Sequence, residues 1–233
     1  MQRWTVFTSL LCLVFAANAV VVDWWPARVV LGWLAFDAGW LAFAYGVFGP
    51  RLLGKRPDGS MPLWSLALLA PYVVLNHLML RVVRLSGRRA KFDEIAPRLF
   101  LGPLPYARDH AAMETADVRA VLDMTGEFAR SPYRRDASQY LLMRLMDGTS
   151  PTPQEIETAV RWCRAQMESG GVLVHCAAGK GRSATIVAAT LIDMGLATDA
   201  DEAVALMQSR RPSAAPNSNQ LAALRAWAAG RKR

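Results

Sequence analysis

Two uninterrupted hydrophobic stretches dominate the first fifty positions of the chain. Residues 4–22 contain no charge, and residues 29–48 contain only Asp37. At about 1.5 Å per residue, each stretch is long enough to cross the roughly 30 Å hydrocarbon layer as a helix. The short connection contains the paired Trp24 and Trp25, which are typical of a membrane interface, so the two stretches are predicted to form a helical hairpin. Residues 63–80 are a third candidate for a membrane-spanning helix. This candidate is weaker because the segment contains Pro71, Asn76 and His77.

From residue 92 the hydrophobic pattern changes to short strands that alternate with amphipathic segments. Strands are predicted near 98–101 and over 118–124, 140–146 and 171–175. Helices are predicted from about 109 and over 152–169, 182–194, 199–210 and 217–229. Within 152–169, Ile156, Val160, Cys163 and Met167 share one helical face, which is expected to pack on a sheet. This alternation predicts an α/β layered domain with a central sheet flanked by helices.

The charge distribution separates the same two regions. Residues 1–91 carry ten Lys and Arg against three Asp and Glu, and residues 92–233 carry seventeen against sixteen, so most of the net charge of +8 lies in the first region. A nearly neutral α/β domain argues against nucleic-acid binding, whereas basic residues beside apolar stretches are typical of membrane proteins. We therefore predict a membrane region, 1–91, and a separate α/β domain, 92–233. The three widely spaced cysteines, Cys12, Cys163 and Cys176, favour a reducing compartment.

The basic residues also indicate an orientation, because Lys and Arg are enriched on the cytoplasmic side. With two spans and the amino terminus inside, nine basic residues of 1–91 lie inside and only Arg28 lies outside. With three spans and the terminus outside, six lie inside and four outside. Both arrangements place the α/β domain in the cytoplasm and predict a multi-pass protein of a bacterial-type inner membrane or its equivalent. Three spans with the amino terminus inside would instead leave four basic residues inside and six outside. A cleaved signal peptide ending near 17–19 is a less favoured alternative.

A single charged residue lies inside the second stretch. Asp37 is a candidate functional residue, because burying a charge in the bilayer costs about 2.5 to 3.5 kcal/mol. An equally good interpretation is that its carboxyl group is protonated or forms a hydrogen bond between helices. The sequence leaves both interpretations open.

The strongest chemical signal is the segment that joins the strand 171–175 to the next helix. It runs His175, Cys176, Ala177, Ala178, Gly179, Lys180, Gly181, Arg182 and Ser183. Small residues and glycines allow backbone N–H groups at the start of a helix to converge on an anion. The same field favours a thiolate, the form in which a cysteine is a nucleophile. The planar guanidinium of Arg182 could hold two phosphoryl oxygens, Ser183 could donate to the cysteine sulfur, and His175 could orient the loop.

These residues match the His-Cys-x5-Arg-Ser/Thr signature, and the chain resembles the dual-specificity branch of the protein-tyrosine-phosphatase superfamily over residues 92–230. Residues 95–102 resemble the opening strand of that branch, and Arg211-Pro212 and Pro216-Asn217 match it near the end. The resemblance implies that Cys176 is the phosphorylated nucleophile and that residues 177–182 bind phosphate. It also implies a general acid about thirty residues before the cysteine. Asp147 lies twenty-nine residues before Cys176, and Asp123 is the second choice.

The three histidines, His77, His110 and His175, are scattered, so we predict neither a metal site nor a cofactor. Lys180 resembles a loop lysine of phosphoinositide phosphatases, although Ala177 replaces their second lysine. The layout also resembles the mitochondrial phosphatidylglycerophosphate phosphatase. Phospholipid headgroups are therefore the favoured substrates, phosphoproteins are the alternative, and an inactive phosphate-binding membrane adaptor is less favoured. The sequence leaves the oligomeric state open.

Overall fold

The computed structural model describes residues 2–85, 92–131, 133 and 139–231. The described residues form two compact units. The first comprises those of Met1–Arg56, Ser60–Gly87 and Gly126–Phe128, and the second those of Pro57–Gly59, Arg88–Thr125 and Ala129–Arg233. The predicted boundary at residue 91 and the basic residues Arg88, Arg89 and Lys91 lie outside the described residues.

The first unit begins with two long apolar helices, α1 (Gln2–Val21) and α2 (Trp25–Phe43), and α2 continues into a π-helical turn, Ala44–Phe48. By length and composition, Arg3–Val21 and Trp25–Phe48 could each cross a membrane. Pro26 lies in the first turn of α2, where its missing N–H is not needed. Most large side chains of α1 and several of α2 are exposed.

The third hydrophobic stretch forms two helices, α3 (Leu63–Leu68) and α4 (Ala70–Leu85). The break precedes Pro71, and Asp37 of α2 lies at the start of α4. The backbone N–H of Tyr72 donates to Asp37 Oδ2 at 2.8 Å. Asp37 is only 4% exposed, and its side chain accepts a hydrogen bond from a backbone donor in the first turn of α4. Of the two interpretations of Asp37, the structure thus supports the hydrogen bond between helices.

The second unit is built on a five-stranded sheet with the order β1-β2-β5-β3-β4. The strands are β1 (Asp93–Ala96), β2 (Leu99–Pro103), β3 (Val118–Thr125), β4 (Tyr140–Leu145) and β5 (Gly171–Cys176). Among the described strands, β1 pairs antiparallel with β2, and the other pairs are parallel. The expected opening strand at 95–102 is therefore an antiparallel hairpin, which turns at Pro97 and Arg98.

Helices cover the sheet as the alternation of the sequence predicted. They are α5 (His110–Thr115), α6 (Pro153–Met167), α7 (Arg182–Asp193), α8 (Ala200–Arg210) and α9 (Ser218–Arg231). The predicted face of α6, with Ile156, Val160, Cys163 and Met167, is buried in the main core. Residues 182–191 of α7 are all buried. The central strand β5 therefore leads directly into a buried helix, and the loop between them is held on both sides.

Candidate active site

The loop from Cys176 to Arg182 connects β5 to the amino end of α7, and three of its carbonyl groups accept hydrogen bonds from residues outside the loop. The carbonyl of Ala177 accepts from Leu104 N at 3.1 Å, and that of Lys180 accepts from Ala215 N at 2.8 Å. The carbonyl of Gly179 accepts from Arg211 Nε at 3.1 Å. In a planar trans peptide the N–H points away from the carbonyl. The N–H groups of the residues that follow therefore point to the inner side of the loop, where they can bind an anion.

Gly179 is required at its position by both backbone angle and space. Its φ is +65°, and a Cβ atom there would lie 2.4 Å from the carbonyl carbon of Gly102 on β2. A larger residue would push the loop away from the sheet. The glycine that the motif contains thus allows the loop to curl against the end of β2.

The predicted nucleophile lies at the base of this loop. Cys176 is 3% exposed, and Ser183 Oγ, in the first turn of α7, donates to Cys176 Sγ at 3.2 Å. A hydroxyl donor and the amino end of a helix both stabilise negative charge on the sulfur. Cys163 is different, because burial in the core raises the pKa of its thiol to about 12. Cys176 therefore has surroundings suited to a nucleophile, and Cys163 does not.

Arg182 is almost completely buried, and its guanidinium group is fixed by backbone carbonyls. Arg182 Nη1 donates to Leu145 O at 2.8 Å, at the end of β4. Arg182 Nη2 lies 3.0 Å from Asp147 Oδ1. The guanidinium plane is thus preorganised beside the loop, and binding phosphate would require little loss of side-chain entropy.

Asp147 lies on a turn that is fixed at both ends. Thr149 N and Thr149 Oγ1 both donate to Met146 O, and Gly148 has a φ of +75°. Thr152 and Glu155 then form a reciprocal capping box at the start of α6. The Asp147 side chain remains 63% exposed while it contacts Arg182. Its carboxyl group is therefore open to solvent while it lies beside the guanidinium group of Arg182.

His175 and Asp123 lie behind the loop rather than in it. His175 Nδ1 lies 3.3 Å from Cys176 O, and His175 Nε2 lies 3.8 Å from Asp123 Oδ1. Asp123 is fully buried and accepts hydrogen bonds from Tyr140 Oη at 2.8 Å and from Thr125 N and Oγ1 at 2.8 and 2.7 Å. Burial and the Asp123 charge raise the pKa of Tyr140 above its usual range. Asp123 is thus enclosed by its hydrogen-bond partners, whereas the Asp147 side chain is exposed beside Arg182, which favours Asp147 as the acid.

The family model for the dual specificity phosphatase catalytic domain matches residues 99–229, more than half of the chain. The chain belongs to the dual specificity phosphatase family. It therefore carries a phosphatase catalytic domain, as the resemblance in the sequence predicted. No group of three or more His, Cys, Asp or Glu that could hold a metal ion occurs among the residues that the structure describes.

Individual relatives of this dual specificity phosphatase agree with the assignment. It is 33% identical over 130 residues to dual specificity protein phosphatase 1B of Arabidopsis thaliana, covering 54% of this chain and 74% of the relative. It is 30% identical over 123 residues to the human phosphatidylglycerophosphatase and protein-tyrosine phosphatase 1, covering 48% of this chain and 61% of the relative. A crystal structure of PTPMT1 in complex with PI(5)P superposes with a TM-score of 0.54 at 24% identity, covering 62% and 100%. The chain spans only 14% and 31% of the length of two other curated relatives.

Some residues that support the phosphatase site received no role from the sequence. Arg211 is 2% exposed, and besides donating to Gly179 O it pairs through Nη1 with Asp93 Oδ2 at 2.5 Å. It thereby connects the loop from Cys176 to Arg182, called the phosphate loop below, to β1. Asn217 and Gln220, at the start of α9, contact the Asp147 turn. The pairs Arg211-Pro212 and Pro216-Asn217 signalled these positions, but only the three-dimensional structure relates them to the loops.

Proposed function

We propose that the chain is a membrane-anchored cysteine phosphatase that hydrolyses phosphate monoesters on phospholipid headgroups, such as phosphatidylglycerophosphate or a phosphoinositide. Cys176 Sγ attacks phosphorus while the ester P–O bond breaks. Asp147 gives its proton to the leaving alcohol oxygen. Water then attacks the phosphocysteine, Asp147 takes up the proton, and inorganic phosphate leaves with Cys176 as thiolate. Arg182 and the loop N–H groups stabilise the equatorial oxygens in both steps.

The observation that carries the substrate proposal is the position of Lys180. It belongs to the phosphate loop itself, its side chain is half-buried, and its carbonyl is held by Ala215 N. A cationic residue within this loop favours a substrate with further negative charge near the scissile phosphate. The phosphodiester of a phospholipid headgroup supplies such a charge, whereas a lone phosphotyrosine does not.

The two apolar helices support a membrane anchor in the same proposal. Since α3 and α4 are separated by a break, the two-span arrangement is favoured, with the amino terminus and the catalytic domain, 92–233, in the cytoplasm and only Arg28 outside. In this arrangement the catalytic domain and the headgroups of the cytoplasmic leaflet are on the same side of the membrane. A membrane anchor also suits phosphoproteins, so protein phosphatase activity is the second candidate, supported by the names of the curated relatives. An inactive adaptor is disfavoured because Cys176, Arg182 and Asp147 lie together.

The direct test compares kcat/KM of the full-length protein, in mixed micelles, for phosphatidylglycerophosphate, a phosphoinositide monophosphate and a phosphotyrosyl peptide. We expect a preference of about a hundredfold for one of the lipids, the sum of interactions worth about 2.7 kcal/mol. A similar preference for the peptide would instead establish the second candidate.

Lys180→Ala is expected to lower kcat/KM for the preferred lipid by roughly fivefold, because it removes about 1 kcal/mol of pairing with the headgroup phosphodiester. Phenyl phosphate lacks that second charge, so its turnover should change less than about twofold. The conservative variant Lys180→Arg should restore lipid turnover. If kcat/KM fell equally for the lipid and for phenyl phosphate, Lys180 would not contribute to recognition of the headgroup.

A further inference from the structure

The amino end of α9 is capped by two amide side chains that act on each other. Gln220 N donates to Asn217 Oδ1, and Asn217 N donates to Gln220 Oε1, both at 2.9 Å. This reciprocal arrangement satisfies two backbone donors at the start of the helix. It uses the oxygen of each side-chain amide, so each NH2 group remains available as a donor.

Both NH2 groups donate to the turn that carries Asp147. Asn217 Nδ2 donates to Gly148 O at 3.0 Å, and Gln220 Nε2 donates to Thr149 O at 2.8 Å. These carbonyls belong to the two residues that directly follow Asp147 in the chain. Two successive peptide groups are therefore fixed to α9, which limits rotation of the backbone that positions the Asp147 side chain.

Gln220 also contacts the phosphate loop. Its side chain is 2% exposed, and a Cβ atom added to Gly181 would lie 2.6 Å from Gln220 Oε1. The same side chain thus packs against the phosphate loop on one side and donates to the Asp147 turn on the other. The ion pair between Asp147 and Arg182, at 3.0 Å, lies across this junction.

We propose that Asn217 and Gln220 are positioning residues that hold the Asp147 turn at the distance from the phosphate loop at which its carboxyl group reaches the leaving-group oxygen. Neither amide touches a reacting atom, so they act through Asp147. The inference rests on the acid role proposed above for Asp147. It predicts that losing these two donors impairs proton donation while leaving phosphate binding intact.

Two substitutions remove the donors and preserve the helix cap. Gln220→Glu and Asn217→Asp keep the oxygens that accept from the backbone but cannot donate to Thr149 O or Gly148 O. Each adds a negative charge, so Asn219→Asp is the matched control. Asn219 is exposed in the same helical turn and is adjacent to Gln220. Thermal unfolding of each variant checks that the fold is intact.

The experiment measures kcat/KM of the full-length protein in detergent for p-nitrophenyl phosphate, whose leaving group needs little protonation, and for phenyl phosphate, whose leaving group needs more. Gln220→Glu and Asn217→Asp should lower phenyl phosphate turnover by about tenfold, part of the 10²- to 10⁴-fold that general acid catalysis supplies. Turnover of p-nitrophenyl phosphate should fall less than about twofold, and Asn219→Asp should match wild type on both substrates.

Asp147→Asn, measured in parallel, distinguishes a failure of the acid role of Asp147 from a failure of the positioning role of Asn217 and Gln220. If it shows the leaving-group dependence but the α9 variants do not, or if they slow both substrates equally, the positioning role is wrong. If Asp147→Asn itself lacks that dependence, the acid assignment is wrong and the positioning role falls with it. Adding Gln220→Glu to Asp147→Asn should cause no further loss on phenyl phosphate, and a further tenfold loss would also overturn the role.

Discussion

Replacing Cys176 by Ser is expected to lower phosphatase activity of the full-length protein by at least about 10³-fold, because a hydroxyl group is not ionised near neutral pH and is a weak nucleophile. Phosphate binding should persist, since the loop N–H groups and Arg182 are unchanged. The measurement is turnover of p-nitrophenyl phosphate in detergent, with binding of inorganic vanadate or phosphate followed separately.

Cys163→Ala is the matched control for this substitution. Cys163 is fully buried in the core face of α6 and does not belong to the loop from Cys176 to Arg182. Removing its sulfur should cost about 1 kcal/mol of stability or somewhat more through a small cavity, with activity retained. Activity that survives in Cys176→Ser, or that disappears equally in Cys163→Ala, would contradict the assignment of the nucleophile.

Asp147→Asn should lower kcat/KM for phenyl phosphate by about 10²- to 10⁴-fold, the range in which general acid catalysis contributes. An amide cannot supply the proton that the phenolate oxygen needs as the P–O bond breaks. Turnover of p-nitrophenyl phosphate should fall far less, because its leaving group is stable as an anion. The ratio of kcat/KM for the two substrates therefore reports the loss of proton donation to the leaving group, because a general loss of activity would lower both values equally.

Asp123→Asn tests the competing carboxylate. Asp123 is enclosed by Tyr140, Thr125 and His175, so this substitution should disturb the support behind the loop and slow both substrates by similar factors. A loss confined to phenyl phosphate in Asp123→Asn, with Asp147→Asn near wild type, would reverse the assignment of the acid.

The layered fold and the phosphate loop could be predicted from the sequence because the patterns that indicate them are local. The apolar face of α6 appears every three or four residues, and the cysteine loop stands between a strand pattern and a helix pattern. The antiparallel β1–β2 hairpin was less visible. It turns at Arg98, a non-glycine residue with a φ of +64°, and Arg98 Nη1 donates to Met167 O and Glu168 O at the end of α6. That contact joins residues about seventy positions apart, so no local pattern reveals it.

The supporting residues of the site were hidden for the same reason. The pair Arg211-Pro212 matched the family in the sequence, but only the structure shows that Arg211 is buried and contacts both Asp93 and Gly179. Asn217 and Gln220 read as an ordinary helix start, and their second set of hydrogen bonds reaches the Asp147 turn. Asp37 was correctly marked as unusual, but its partner, Tyr72 N, lies on a different helix. Long-range polar contacts of this kind depend on the topology rather than on the periodicity of the chain.

The most direct test of the central claim is to trap the covalent intermediate. Full-length protein is mixed with substrate, quenched in acid within the first turnover, digested and examined by mass spectrometry. A phosphoryl group on the sulfur of Cys176, absent from Cys176→Ser, is the predicted result. Rapid turnover with the phosphoryl group on another residue, or with no covalent adduct at any quench time, would contradict the mechanism.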